Sequence, residues 1–371
     1  MKIKSYHSWG RYPCPESLIQ KVRPLSCRDQ IDLSVSKNET LLPFGNGRSY
    51  GDSCLNNGGS LLLTRGLNRF IYFDSENGTL KCEAGVLLSE VIDLILPYGW
   101  FLMVTPGTKF VTIGGAIAND IHGKNHHKAG TFGCDVISFE LVRSDGQVLV
   151  CTKDQNVKLF KATIGGLGLT GVITWVEFSL KKVESSFMDV ETLNFSNIDE
   201  FFQLSLESDA SHEYTVAWLD SSAKGSSIGR GIFKRANHSS SGPLNTLASS
   251  RINFPINIPF SLINMPSVKI FNTLYRWKNS KKQGLNIENT NSFFYPLDSI
   301  RNWNRIYGKK GFLQYQFVIP IKNANNVINE ILRVISISGQ GSFLNVLKIF
   351  GDIKSPGMLS FPRSGVTLAL D

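Results

Sequence analysis

The placement of glycine constrains this 371-residue chain more than any other feature. Its glycines concentrate in three short loops, FGNGRSYGD (44–52), TPGTKFVTIGGAIANDIHGKNHH (105–127) and GGLGLTG (165–171). The last fits GxGxxG through Gly166, Gly168 and Gly171, a dinucleotide fingerprint that requires a strand before it and a helix after it. Here the helix-like DQNVKLFKAT precedes it and the strand-like VITWVEF follows, so a Rossmann site is rejected. The first loop carries Gly45, Gly47 and Gly51, and its successive N–H groups suit either a phosphate nest or an ordinary tight turn. The second puts Gly114 and Gly115 at a helix start, where anions bind and backbone approaches a ligand closely. Three such loops together suit a dinucleotide pyrophosphate held outside any Rossmann fold.

Around these loops the pattern is strand-rich. Hydrophobic residues make up 42% and charged residues 19%, a globular balance, and 24 Phe favour strands over a helical bundle. Six widely spaced cysteines with no CxxC pair argue against a disulfide scaffold or a zinc ribbon. Apolar spacing predicts helices over 88–99, with Ser89 as N-cap, over 114–123, 195–208 and 325–339. In the last, Val327, Ile328, Ile331, Leu332 and Ile335 share a face and Gly339 sits where a C-cap belongs. LVRSDGQVLVCT (141–152) alternates around Asp145–Gly146 as a hairpin, while 171–185 and FLQYQFVIP (312–320) read as strands. A domain boundary is expected near residue 183, dividing the chain into 1–183 and 184–371.

The first residues lack the apolar core of a secretory signal, and the most apolar window, 86–104, is broken by Glu90, Asp93, Pro97 and Gly99. The expected location is the cytoplasm, with the inner face of the membrane as the alternative. Net charge is +9, yet no acidic residue lies between Asp220 and Glu288, where ten cations fall. These are Lys224, Arg230, Lys234, Arg235, Arg251, Lys269, Arg276, Lys278, Lys281 and Lys282. Nucleic-acid binding is not expected, because the stretch holds no standard recognition motif and is interrupted by apolar, Pro-containing sequence. Residues 221–287 are read instead as a flexible lid docking on an anionic membrane surface; a solvated loop is the alternative.

His122, His126 and His127 lie within six residues, but no fourth ligand stands at a standard spacing, so no metal is expected. His126 and His127 read as packed or solvated side chains. Lys124 suits recognition of an anion or simple solvation. Leu344, Val346, Lys348 and Phe350 share one strand face, and Gln314 and Gln316 another. A cation on an apolar face needs an anionic partner, either a substrate phosphate or a protein carboxylate.

GNGRSYGDS, TPGTKFVTIGGAIANDIHGKNHHKAGTFG, GGLGLTG, FLQYQFVIP and SFLNVLKIFG together strongly resemble the decaprenylphosphoryl-β-D-ribose 2′-oxidase family, flavoenzymes with a PCMH-type FAD domain. The resemblance implies a two-domain α+β fold, with a substrate domain built on an antiparallel sheet, and bound FAD. It implies oxidation of the 2′-hydroxyl of a polyprenylphosphoryl ribose, and a partner NAD(P)H-dependent reductase that completes epimerisation to arabinose. An aldonolactone-type oxidase and a non-catalytic flavin binder are the rival readings. By motif, FAD is held by Gly45, Asn46, Gly47, Arg48, Ser49, Tyr50, Pro106, Gly107, Thr108, Val111, Gly114, Gly115, Ala116, His122, Gly171 and Ile173. The sugar pocket takes Lys124, Trp218, Gln314, Gln316, Leu344, Val346, Lys348 and Phe350. Catalytic candidates are Tyr50, His122, Lys124, Gln316 and Lys348, with the choice of base open among His122, Lys124 and Lys348.

Residues 41–60 contain no His, so the flavin is expected to bind without a covalent link. Thr367 and Ala369 stand where some members have Asn and Cys. The family continues for several tens of residues past the position of Asp371, completing the FAD domain and supplying an active-site lysine. The chain as written is therefore expected to expose core surface around 100–180 and to be a poor oxidase.

Overall fold

The structure is a computed structural model that describes residues 6–14, 20–31, 33, 39–245, 252–259, 261 and 263–371. A small parallel sheet opens the chain, with β3 (Ser60–Leu63) between β1 (Lys21–Pro24) and β2 (Leu41–Phe44). A six-stranded antiparallel sheet follows. It contains β4 (Phe70–Asp74), β5 (Thr79–Glu83), β6 (Trp100–Leu102), β7 (Val136–Val142), β8 (Val148–Thr152) and the long β9 (Val172–Lys182), in the order β4-β5-β9-β7-β8 with β6 also on β9. The Asp145–Gly146 hairpin forms as expected: Gly146 takes φ +84, and the Asp145 side chain accepts from the Gln147 N–H at 3.1 Å.

Four helices pack on this half: α1 (Leu88–Ile95), α2 (Ile113–Ala118), α3 (His126–Ala129) and α4 (Val157–Thr163). The N-cap of α1 is Leu87 and not Ser89, which lies buried inside the helix. Leu87 has no polar side chain, and the cap is made instead by Glu90, whose carboxylate accepts the Leu87 N–H at 2.8 Å.

The second half is a seven-stranded antiparallel sheet of order β14-β10-β12-β11-β17-β18-β16. Its strands are β10 (Phe187–Phe195), β11 (Tyr214–Leu219), β12 (Gly231–His238), β14 (Gly284–Asn289), β16 (Tyr315–Ile319), β17 (Val346–Phe350) and β18 (Gly365–Leu370). The short β13 (Ile252–Asn253) and β15 (Ile300–Arg301) pair with each other. On one face α5 (Ile198–Asp209) and α8 (Ile321–Ser338) cover Phe233, Leu347 and Leu368. The core stripe of α8 is Ala324, Ile328 and Leu332, with Val327 turned outward, and the helix begins four residues earlier than its apolar pattern suggests. Gly339 caps it at φ +68.

The other face carries α6 (Met265–Ser280) and α7 (Thr290–Phe294) and meets the first half. A single cluster of buried residues runs from Phe101, Val176 and Leu180 into Met188, Val190, Tyr214 and Phe294. Within 100–180, Phe101, Leu102, Phe139 and Phe178 are buried, while Ile137, Val148, Leu167 and Leu169 are the exposed large apolar residues.

The reading of 221–287 as a flexible lid is also corrected. Residues 231–238 form β12, inside the sheet between β10 and β11, because their alternation supplies Ile232, Phe233 and Ala236 to the interior. Arg251 falls outside the described residues. No helix among the described residues is long and apolar enough to cross a membrane.

Candidate active site

The first two glycine loops are drawn together by side chains the motif supplies. Thr112 caps α2, its Oγ1 accepting the Gly115 N–H at 3.1 Å. The same hydroxyl would lie 2.4 Å from a Cβ on Gly45, so only glycine lets the loops close. Asn46 Nδ2 donates to the Phe110 carbonyl at 2.7 Å and completes the join. Gly114 lets α2 lie against Ala84, where a Cβ would meet Ala84 Cβ at 3.0 Å, and Ala116 is buried beside it. Val111 anchors the loop by accepting the Leu88 N–H.

The third loop docks on the end of α2 through Gly165 N–H to Ile117 O, 2.9 Å, and Leu167 N–H to Ala118 O, 2.8 Å. Gly171 takes φ +147 under the Val142 carbonyl, and Ile173 is buried in the sheet.

This cradle fits a dinucleotide. A Cβ at Gly107 would meet nothing within 4 Å, which leaves open backbone on the loop between Pro106 and Thr108. Arg48 lies 4.2 Å over the Trp9 ring with its Nε buried and unpartnered, beside a cavity of about 250 Å³ lined by Phe110, Asp298 and Trp303. Burial lowers the guanidinium below its ordinary value. Thr108 is turned away, donating to Asp298 at 2.7 Å. The Tyr50 ring packs against Phe312 and Trp303, and burial raises its phenol. Ser49 holds the N-terminal segment through its carbonyl, which accepts the Gly10 N–H.

The sugar-pocket candidates come together through register. Trp218 on β11 pairs with Val346 on β17, Val346 with Ala369 on β18, and Ala369 with Gln316 on β16. Cross-strand partners project to the same face, so these four form one row across the sheet. Lys348 and Thr367 pair in the next row.

Above this floor stands His122. Its Nδ1 is 3.2 Å from Lys348 Nζ and its Nε2 3.2 Å from Gln316 Nε2. Its ring lies 4.8 Å from that of Phe350. Lys348 also donates to the Gly123 carbonyl at 3.1 Å, and Gln316 to Thr367 at 2.9 Å. Among the described residues no protein carboxylate, one of the two partners expected for Lys348, pairs with it: an imidazole and a carbonyl hold it. Lys124 donates to the Phe294 carbonyl at 3.0 Å, with Phe293 and Phe294 at 5.5 and 5.6 Å.

Desolvation, with Lys348 alongside, drives the His122 pKa well below its ordinary value, so the ring is neutral. Desolvation brings Lys348 down to about 8. Desolvation, then Lys348 and Lys234, brings Lys124 down to about 7. The site therefore holds two amines that titrate near neutrality and a neutral ring, all facing an uncharged floor.

His126 is buried against Phe350, 4.4 Å away, with neither ring nitrogen partnered, and His127 reaches the His212 carbonyl at 3.3 Å. Among the described residues no three His, Cys, Asp or Glu gather as a metal site.

Sequence reasoning missed four contributors. Asp120, buried at φ +42, accepts the Gly133 N–H at 2.9 Å and hydrogen bonds from Ser355 and Ser360, strapping 355–360 beside His122. Asp371 joins Gln314 at 3.3 Å and Tyr307 at 2.5 Å, and burial raises its carboxyl to about 6. Tyr275 on α6 packs with its ring tilted 50° against Trp218, 4.7 Å away, and Phe293–Phe294 shelter Lys124. Of these only Asp120 had a local signal, an Asp two residues before His122; the Thr112 cap likewise stands two residues before a glycine pair.

The FAD-binding domain family matches residues 26–152. Decaprenylphosphoryl-β-D-ribose oxidase of Mycolicibacterium smegmatis is 36% identical over 99% of this chain and 82% of its own length. The chain belongs to the decaprenylphosphoryl-β-D-ribose oxidase family. An uncharacterized Streptomyces coelicolor protein is 29% identical over 77% of the chain and 80% of its own length. L-gulonolactone oxidase of Mus musculus is 27% identical over 54% of the chain and 46% of its own length. Membership makes the protein an FAD-dependent oxidoreductase of mixed α+β fold.

Proposed function

We propose that the chain oxidises the 2′-hydroxyl of a polyprenylphosphoryl-β-D-ribose to the 2′-keto sugar. The relative named as a ribose oxidase supports the substrate class. The observation that carries the reading is the row Trp218–Val346–Ala369–Gln316 facing Lys124 and Lys348, two cations without a carboxylate partner among the described residues. A flat uncharged floor suits a sugar ring, and unpaired amines suit the phosphate that leads to the lipid.

Bound FAD, held by the loops 45–50 and 106–116, supplies the hydride acceptor. The chain's own residues handle the proton. The Gln316 amide nitrogen can only donate, so it occupies the Nε2 lone pair of the neutral ring, and the N–H on Nδ1 then faces Lys348 Nζ, which can accept it only as the neutral amine. Protonation of Lys348 and the tautomer of His122 are thereby coupled. Neutral Lys348 takes the hydroxyl proton, directly or through His122, while Gln316 and Thr367 fix the ring. Lys124, between two phenyl faces that favour the ammonium, anchors the phosphate. Tyr50 closes the pocket on the side of the first glycine loop.

The chain divides in this reading into an FAD-binding unit, 1–183, and a substrate-binding unit, 184–371. The keto product passes to a partner NAD(P)H-dependent reductase, and the enzyme works peripherally at the inner face of the membrane.

Incubation of the holoenzyme with a short-chain prenylphosphoryl ribose and an artificial electron acceptor tests the function. The expected product is lighter by two hydrogens and is trapped by borodeuteride at the 2′ carbon. Turnover of an aldonolactone with none of the phosphoryl ribose would overturn the reading. FAD is bound without a covalent link, so acid precipitation is expected to leave the flavin in solution; a yellow pellet would contradict this.

A further inference from the structure

Helix α6 is amphipathic in an unusual sense. Its inner face, Val268, Asn272, Tyr275 and Asn279, is turned to the sheet. Asn272 donates to Asp220 at 2.9 Å, Tyr275 packs at a tilt against Trp218, and the neighbouring Phe271 packs edge-on against Phe343 at 4.9 Å. The outer face should then be polar in a helix bathed by water. It is not. Ile270, Leu274 and Trp277, spaced to lie one above the other, are 62%, 58% and 59% exposed.

Cations border this stripe on both sides. At 100° per residue, Lys269 and Arg276 fall along one edge and Lys278 along the other. Lys281 lies over the Trp277 ring at 3.7 Å. The ion pairs of the region lie elsewhere: Arg230 with Asp220, Lys234 and Lys282 with Glu288, and Arg235 with Glu191. Lys269, Arg276, Lys278 and Lys281 have no carboxylate partner among the described residues, and no acidic residue occurs in 221–287 to supply one locally.

An apolar stripe with long basic side chains on both flanks matches the interface of an anionic bilayer, where apolar groups enter the acyl boundary and amines reach the headgroups. We propose that the outer face of α6 is the surface by which this enzyme docks on anionic lipid. The inner face of the same helix walls the sugar site, so docking sets the pocket mouth at the headgroup plane. Phe271, on the flank between the stripe and Phe343, then offers an apolar path for a prenyl chain. This deepens the reading of a lipid-linked substrate and rests on it for purpose, though not for the docking itself.

The test is co-sedimentation of the FAD-loaded, full-length protein with phosphatidylcholine vesicles and with vesicles containing phosphatidylglycerol, at low and high salt. Binding to the anionic vesicles alone, reversed by salt, is expected. The double variant Leu274→Glu/Trp277→Glu is expected to bind about tenfold or more weakly, while keeping its flavin spectrum, its melting temperature and its turnover of a water-soluble short-chain substrate.

Wild-type protein that ignores anionic vesicles at low salt, or a double variant that binds them unchanged, would overturn the proposal. So would a concentration-dependent dimer of the wild type that the variant abolishes without vesicle binding, since the stripe would then serve a second copy. Because the vesicles carry no substrate, failed turnover of the phosphoryl ribose with intact vesicle binding would count against the assigned function and leave the docking surface standing.

Discussion

On the proposed mechanism, the chemistry of the site comes down to two lysines whose charges are wanted in opposite states. Lys348 must be neutral to accept a proton, and its pKa of about 8 leaves it charged below that value. Lys124 must be charged to hold a phosphate, and its pKa of about 7 leaves it neutral above that value. Burial lowers both, so in each case the neutral form gains as pH rises. The profile of kcat/KM is therefore expected to be a bell with limbs near 7 and 8, the apparent values belonging to the pair. In Lys124→Met the alkaline limb should vanish and KM for the phosphorylated substrate should rise. In Lys348→Met kcat should fall by about 10²–10⁴ with FAD retained. An alkaline limb that survives in Lys124→Met would show that another group binds the anion.

Elements meet at this site through small contacts that can be broken singly. Gly45→Ala would drive a methyl to 2.4 Å from Thr112 Oγ1 and part the two glycine loops, so FAD affinity should fall steeply. Thr112→Ala alone loses an N-cap, about 1 kcal/mol. The double variant should bind FAD better than Gly45→Ala alone, because the clashing hydroxyl is gone; equal or weaker binding, read by flavin fluorescence, would refute this. Asp120→Ala strands the Gly133 N–H and two serine hydroxyls. A loss of about 2–3 kcal/mol in urea unfolding is expected, with Asp120→Asn milder, since Asn tolerates the left-handed backbone and keeps an acceptor. These loops were legible in the sequence because their logic is local: glycine where backbone crowds, Thr at a cap, period-two faces on β16 and β17. The row Trp218–Val346–Ala369–Gln316 was legible only as separate faces, because register between distant strands leaves no local trace. Tyr275 and Asp371 had no signal at all, one lying in a stretch read as a loop and the other at the last position.

At the scale of the molecule, a boundary near residue 183 separates the two sheets in sequence, and β9 ends at Lys182 before β10 begins at Phe187. The hydrophobic core ignores that boundary. Phe101 stacks on Phe294 at 5.4 Å, Leu180 and Val183 share their cluster with Met188, Val190 and Tyr214, and Lys181 bridges to Glu213 at 2.8 Å. Lys348 reaches back to Gly123, and the Thr215 N–H to the Lys124 carbonyl at 2.9 Å. Each large apolar side chain stripped of its cover costs about 1.5–3 kcal/mol, and several would be stripped at once, against a total stability of about 5–15 kcal/mol. Residues 1–183 expressed alone should therefore aggregate and fail to retain FAD, although every glycine loop is present. The whole chain should unfold in one calorimetric transition, with equal calorimetric and van't Hoff enthalpies, and its midpoint should rise with added FAD. A monomeric 1–183 fragment that binds FAD, or two resolved transitions in the whole chain, would mean that the shared core is dispensable and that the halves fold independently.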